Sequence, residues 1–403
     1  MRKSLSVCFV GSIILLLLGT FSFGSCRPDN KSGGGGCSRD SVPSTPPVVE
    51  CKTPSTYNFF IENSGSMKGY FSGNRSSELE TIIQDYYDRL TSENVIEGDT
   101  ITLNYINTEK INFEEGIKSY LSTAKSKCTD KYSKIDDILS MAMQDAKDDV
   151  VNIVISDYCF ETDNGNYETA QSGINKIFTQ QLDKNNNLSI AILKYDANFD
   201  GQYFPPGVNV GIRCSQNMPV YFWIFGDANR VKKVLALHVN KQPLKRLLLQ
   251  SSMSPSYSIN ASNKRAIDKN DIIVKHLKKD RHENAYKFEV IVDLSKSILN
   301  EQELKAKENY SLTSSSASRY SISSIEKNGN DYKFIISTDK PAPGSLTIKY
   351  DLRTPQWVEE SNFEGSGIPD NGKTAGIKYL IGGVFDAYYN KANSYFSFTI
   401  NLK

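Results

Sequence analysis

A run of apolar residues, Tyr57-Asn58-Phe59-Phe60-Ile61, stops abruptly at Glu62 and gives way to the polar turn Asn63-Ser64-Gly65-Ser66. From there to about residue 240, strand-like apolar runs alternate with stretches whose apolar residues recur at helical spacing. Ile82, Ile83, Tyr86, Tyr87 and Leu90 predict a helix, and Ser77 with Glu80 has the spacing of a capping box at its start. Thr100–Ile106 alternates as a strand should, and Lys110–Phe113 reads as a short antiparallel edge. Glu114–Thr123 reads as helical. A further helix opens at Ser133, with Ile135, Ile138, Leu139 and Ala142 on one stripe. Val150–Ile155 is continuously apolar, as a central parallel strand is. Helix is expected over 167–183 and from about Asp227 to Val239, and strand over 188–194 and 219–225. The alternation predicts an α/β domain over 56–243, a Rossmann-like, mostly parallel sheet flanked by helices. Asp196–Asn217, between the last two strands, is an insertion expected to form a hairpin or loop excursion.

After residue 244 the pattern changes to strand-like runs separated by Asn, Gly and Pro turns: Asp271–Leu277, Tyr286–Val292, Tyr320–Ile325, Tyr332–Ser337 and Ser345–Asp351. A helix from about Lys373 to Tyr389 precedes a last alternating strand, Tyr395–Leu402. This predicts a β-rich, sandwich-like C-terminal domain over 244–403.

The N-terminus sets the compartment. Arg2 and Lys3 precede the apolar run Val7–Leu18, followed by small residues and Cys26. This is a secretory signal, and it resembles a bacterial lipoprotein signal. That resemblance implies removal of residues 1–25, lipidation of Cys26 and a membrane anchor in the cell envelope, at the outer membrane. Residues 26–55, with Gly33–Gly36 and Thr45-Pro46-Pro47, form a tether too polar to fold alone. Lys plus Arg number 47 against 46 Asp plus Glu, so no global field attracts nucleic acid. With Cys8 removed and Cys26 lipidated, Cys37, Cys51, Cys128, Cys159 and Cys214 remain in an oxidising compartment. Spacing alone leaves their connectivity open. Three His and no Cys-x-x-Cys argue against zinc.

Glu62, Ser64 and Ser66 place three oxygen-bearing side chains at i, i+2 and i+4 across the end of a strand, a cluster suited to a hard cation. The stretch resembles the metal-ion-dependent adhesion motif of von Willebrand factor A-type (vWA) domains, Asp-x-Ser-x-Ser, with Glu62 in place of the Asp. The family's second loop carries a hydroxyl residue with apolar residues two and six positions later. Thr129 fails that spacing, whereas Ser133 meets it through Ile135 and Leu139. The third loop carries an Asp after a buried strand, matched by Asp157 after Val151–Ser156. The resemblance implies Mg²⁺ or Mn²⁺ at Glu62, Ser64, Ser66, Ser133 and Asp157, completed by a carboxylate of a protein partner, and no enzymatic activity. It also sets Cys128 and Cys159 in adjoining loops, where a disulfide could join them; two buried thiols are the alternative. A metal-free scaffold that binds through the 196–217 insertion or the β domain is the other functional reading.

Remaining motifs add less. Asp196-Ala197-Asn198-Phe199-Asp200-Gly201 matches half a calcium loop, but Gly207 stands where the bidentate Glu belongs, so an Asx-rich turn is expected. Gly367–Thr374 satisfies the phosphate-loop pattern but lacks the buried strand before it, so no nucleotide is expected. No nucleophile–base pair is evident. Phe199, Tyr203 and Phe204 are candidates either for partner contacts or for packing within the insertion.

Overall fold

Strands β1 (Thr56–Glu62), β2 (Thr100–Ile106), β3 (Lys110–Phe113), β4 (Val150–Ser156), β5 (Leu188–Tyr203), β6 (Ile212–Asp227) and β7 (Lys245–Gln250) form one sheet in the order β3-β2-β1-β4-β6-β5-β7. The structure, a computed structural model, describes residues 53–403 except 73–76, 94–95, 145, 147–148, 161–165, 206–207, 209 and 316–318. The signal-like segment, Cys26, Cys37 and Cys51 lie outside the described residues.

Helices α1 (Glu78–Ser92), α2 (Ile117–Lys127), α3 (Ile135–Gln144), α4 (Tyr167–Lys184) and α5 (Ala228–Leu235) connect these strands. The Ser77–Glu80 capping box opens α1 as expected. Phe59 packs toward Tyr87 of α1, and Lys233 of α5 lies over the ring of Tyr57, so both helices cover the odd-numbered face of β1. Asn152, in register with Asn58, donates to the Ala142 carbonyl at 2.5 Å, which sets α3 on the other face. The fold is therefore α/β with helices on both sides of its sheet.

The sheet is mixed. β1, β2, β4 and β5 run one way, while β3, β6 and β7 run the other. The expected edge strand β3 is antiparallel, as predicted. The departure is β6, which inserts antiparallel between β4 and β5. The insertion explains it. Residues 196–203 and 212–217 extend the two strands into one long hairpin, paired from Leu188↔Asp227 to Tyr203↔Ile212. A hairpin delivers an antiparallel neighbour; a parallel one needs a crossover, usually helical, of a dozen or more residues. Asp196, Asn198 and Asp200 consequently lie along an extended strand rather than in a turn, and cannot close round a calcium ion.

The second region contains β8 (Tyr257–Asn260), β9 (Ile267–Asp268), β10 (Asp271–Ile272), β11 (Tyr286–Asp293), α6 (Glu301–Lys305), β12 (Tyr310–Ser314), β13 (Tyr320–Asn328), β14 (Asp331–Thr338), β15 (Gly344–Asp351), α7 (Gln356–Glu360), β16 (Asn362–Phe363), β17 (Thr374–Ala375), α8 (Ile377–Lys391) and β18 (Ser394–Leu402). Two sheets, β12-β15-β18-β10-β9 and β13-β14-β11-β8, face one another. Phe334 of the second meets Tyr310 and Phe398 of the first edge-on, at 5.3 and 5.9 Å. That is the expected sandwich. The predicted strand over 271–277 is confined to Asp271–Ile272, after which the chain turns into a 3-10 segment.

A division at residue 243–244 does not follow the packing. β7 lies beyond it yet pairs with β5. Trp357 donates its indole N–H to the Arg246 carbonyl, burying its ring against that edge. Helix α8 lies along α4, with Tyr167 and Tyr379 stacked at 4.8 Å. A Cβ on Gly383 would stand 2.6 Å from the Gln171 carbonyl, so glycine is what permits this approach. The described residues belong to one compact unit.

Candidate metal centre

β1 carries Glu62 into the interior at its carboxyl end, with none of the side chain exposed. Three loops converge there. The first, Asn63–Ser66, is tied to the second by Gly65 N–H donating to the Asp130 carbonyl at 2.8 Å and Asp130 N–H donating to the Asn63 carbonyl at 3.1 Å. From the second loop, the Ser133 hydroxyl donates to Glu62 Oε1. From the end of β4, the Ser156 hydroxyl donates to Glu62 Oε2.

The chain of contacts continues outward. The Ser64 hydroxyl lies beside the Glu62 carboxylate and helps hold it down against burial. Ser64 Oγ and Ser66 Oγ share a hydrogen bond of 3.0 Å. Ser66 lies on the Asp157 side of this pair, close enough to hold the Asp157 carboxyl down against burial. The five residues singled out from sequence, Glu62, Ser64, Ser66, Ser133 and Asp157, therefore come together from three loops at one place.

Asp157 sits in a constrained turn. Its Oδ1 accepts from the Cys159 N–H at 3.1 Å, and Ser156 Oγ accepts from the Tyr158 N–H at 2.8 Å. Between them Tyr158 has φ of 48°, a left-handed conformation that costs a residue with a Cβ on the order of 1–2 kcal/mol. Its ring stacks on Trp223 at 4.6 Å, which holds the turn in place.

On the other side, Gly69 closes the first loop. The five-residue 3-10 turn Ser66–Tyr70 passes so near the β5–β6 hairpin that a Cβ on Gly69 would lie 2.3 Å from the Phe199 ring. Tyr70 meets the same ring edge-on at 5.0 Å and donates to the Pro219 carbonyl at 2.6 Å. Phe199 and Tyr203 are buried, so they pack within the protein; the large apolar residues exposed at the hairpin tip are Val208, Val210 and Ile212.

Electrostatics single out the carboxylates. Burial, and then the negative charge of Asp157, push the Glu62 carboxyl up to about 7 against the hydrogen bonds of three serines. Burial raises the Asp157 carboxyl as well. Among the described residues neither carboxylate has a Lys, Arg or His ion-pair partner. Two buried carboxylates without a cation are costly when ionised.

The donor set is oxygen only. Among the described residues no three His, Cys, Asp or Glu side chains converge, so the candidate ligands are two carboxylates and three hydroxyls. A hydroxyl that donates its proton to a carboxylate still has lone pairs for a cation, and the Glu62 carboxylate has more lone pairs than serine donors. Oxygen ligands and a net negative charge fit Mg²⁺ or Mn²⁺ rather than a soft metal.

Two residues enter that the sequence reading missed. Ser156 follows from strand parity: Ile61 and Ile155 are in register, so the next residue of each strand shares a face. Lys194, which reaches toward this end of the sheet from β5, has no signal in its apolar neighbourhood. The implied Cys128–Cys159 disulfide does not form. Both are buried thiols, Cys128 donating toward the Glu62 carbonyl and Cys159 facing the Tyr203 hydroxyl. The loops are neighbours, but their thiols face different partners.

No protein-family model, curated protein or solved structure matches the chain.

Proposed function

We propose that the chain is an envelope lipoprotein, anchored through Cys26 and extended on its tether, whose vWA-like α/β region binds a protein partner through Mg²⁺ or Mn²⁺. The observation that carries this reading is the cluster of Ser133, Glu62, Ser64, Ser66 and Asp157, with two buried carboxylates that lack a cationic partner among the described residues. A divalent ion would neutralise both and would act as a Lewis acid toward a partner's carboxylate. The protein's part is to hold the ligands: Ser156 and Ser133 orient Glu62, and the Tyr158 turn orients Asp157.

The test is Mn²⁺ binding followed by electron paramagnetic resonance, on wild type, Ser66→Ala and Asp157→Asn. Saturable binding in wild type and its loss in both variants is the expected outcome. Equal binding in all three would remove this site from consideration.

A second reading keeps the fold as a metal-free scaffold that binds through the hairpin. The exposed apolar tip favours it: Val210 is 72% exposed, with Val208 and Ile212 beside it. Partner capture that survives Asp157→Asn but fails in Val210→Asp would select this reading.

A further inference from the structure

Asp157 is only 6% exposed, and a segment from the far end of the chain lies across a small gap from it. A gap of about 10 Å³, room for one water, separates Asp157, Cys159 and Tyr203 from Pro369, Lys373 and Thr374. The covering segment is held at several points. Phe160 N–H donates to the Ala375 carbonyl at 2.9 Å. Tyr221 donates its hydroxyl to Thr374 Oγ1 at 3.2 Å, and Gln216 donates to the Pro369 carbonyl at 3.0 Å.

Lys194 adds a charged tie. It is 6% exposed and, among the described residues, makes no ion pair. Its ammonium donates to Ser361 Oγ at 2.8 Å and to the Gly372 carbonyl. A buried ammonium facing neutral acceptors is expensive for a protein to keep. Here it grips both ends of the same segment.

The segment is built as a loop on a fixed base. β16 and β17 pair in parallel, Asn362↔Thr374 and Phe363↔Ala375, and join its ends. Residues 364–373 between them contain no helix or strand, and Glu364, Gly365, Ser366, Asp370 and Asn371 are exposed. Gly376, at φ of 66°, turns the chain directly into α8 where a Cβ would meet the Phe160 carbonyl at 2.8 Å. This is the stretch that carries the phosphate-loop pattern, and its contacts account for it without a nucleotide.

We propose that residues 361–376 are a strap occupying, in cis, the face on which a partner would reach Asp157, with Lys194 as its latch. The proposal rests on the reading of this end of the sheet as the binding site, and adds how that site is regulated. Ser66 and Ser133 stay partly exposed, so an ion has a route that does not cross the strap. A protein surface is broader than an ion and meets the strap first. Partner binding is then a competition with the strap, and any change that weakens the Lys194 contacts favours the partner.

Cys159 reports on the strap directly, because it is a buried thiol lining the gap, whereas Cys128 is a buried thiol away from it. The full chain, free of metal, is treated with a maleimide, and modification is mapped by peptide mass spectrometry. Lys194→Met should raise the Cys159 rate about ten- to a hundredfold and leave Cys128 unchanged. Thr374→Val and Gln216→Ala, which loosen the strap without removing a buried charge, should move Cys159 in the same direction by less. Unchanged Cys159 modification in all three variants overturns the proposal, as does a parallel rise at Cys128, which would mean general loosening. Mn²⁺ binding on the same proteins separates the two ideas. A wild type that binds no Mn²⁺ while its Lys194→Met variant exposes Cys159 sinks the metal reading and keeps the strap.

Discussion

Ser156 donates its hydroxyl proton to Oε2 of Glu62 across the seam between the two central parallel strands. The bond joins a residue no motif marks to the residue on which the candidate site depends. Ser156→Ala leaves one oxygen of a buried carboxylate without its donor. Unfolding by urea should show a loss of about 1–3 kcal/mol. Mn²⁺ affinity should fall about ten- to a hundredfold, as when an orienting partner of a metal ligand is removed. Unchanged affinity would mean Glu62 does not contribute to a metal site.

Asp157 and Glu62 oppose each other in the absence of a cation. Asp157→Asn removes one of two like charges, and at pH 8 the metal-free variant should be more stable than wild type by about 1–2 kcal/mol. Wild type should gain about 2.7 kcal/mol at a Mn²⁺ concentration one hundred times the dissociation constant, and the variant nothing. Chemical denaturation with and without Mn²⁺ measures both. A variant less stable than wild type in metal-free buffer would contradict the repulsion.

Gly69 and Phe199 tie the Ser66 turn to the hairpin. Gly69→Ala places a methyl carbon 2.3 Å from the Phe199 ring, costs about 1–3 kcal/mol and shifts Ser66. The double variant with Phe199→Ala should cost less than the sum of the singles, because the smaller side chain removes the clash. Additive losses would show that the close approach is not what Gly69 provides.

Asp99 and Lys233 form the buried ion pair that closes the opposite end of the sheet, 2.8 Å apart and each about 5% exposed or less. Burial alone would raise the Asp99 carboxyl, but donors from Lys233, Ser55 and Ile96 outweigh it and hold it below its usual value. Burial would lower Lys233, and Asp99 with Tyr57 more than reverses this. The depressed acid contributes stability that is present above about pH 4 and lost as pH falls through its folded value. The raised base contributes stability that is present below about pH 10 and lost above it. Asp99→Ala should cost about 3–5 kcal/mol at pH 7 by leaving a buried ammonium unpaired. Asp99→Ala with Lys233→Met should recover part of it, read from denaturation midpoints between pH 3 and pH 10.

The elements of the α/β region are legible because they are local. The Ser77–Glu80 cap, the stripe from Ile135 to Ala142 and the unbroken apolar run of β4 each mark their own element, whatever the rest of the chain does. The meeting of Glu62, Ser133 and Asp157 was legible for a related reason. Each stands at the end of a strand or the start of a helix, and parallel strands bring their carboxyl ends to one edge of the sheet.

Direction and cover were not local. The two strands that bracket the 196–217 insertion look alike in either orientation, because a strand buried on both faces has no periodicity to reveal its neighbour. Only hairpin pairing turned β6 round and placed it beside β4. The separation of Cys128 from Cys159 depends on which way each loop turns after its strand, a matter of packing against Glu62 and Tyr203.

By itself the sequence determined the order and type of the main elements, the sandwich that follows them and the five oxygen-bearing residues at one end of the sheet. Spacing along the chain is enough for these. Tertiary structure alone decided that Ser156 completes the hold on Glu62, that the α/β region extends into β7, and that Lys194 fastens residues 361–376 over Asp157. Those outcomes rest on contacts between residues up to 178 positions apart, where burial and hydrogen-bond geometry choose partners that no local pattern encodes.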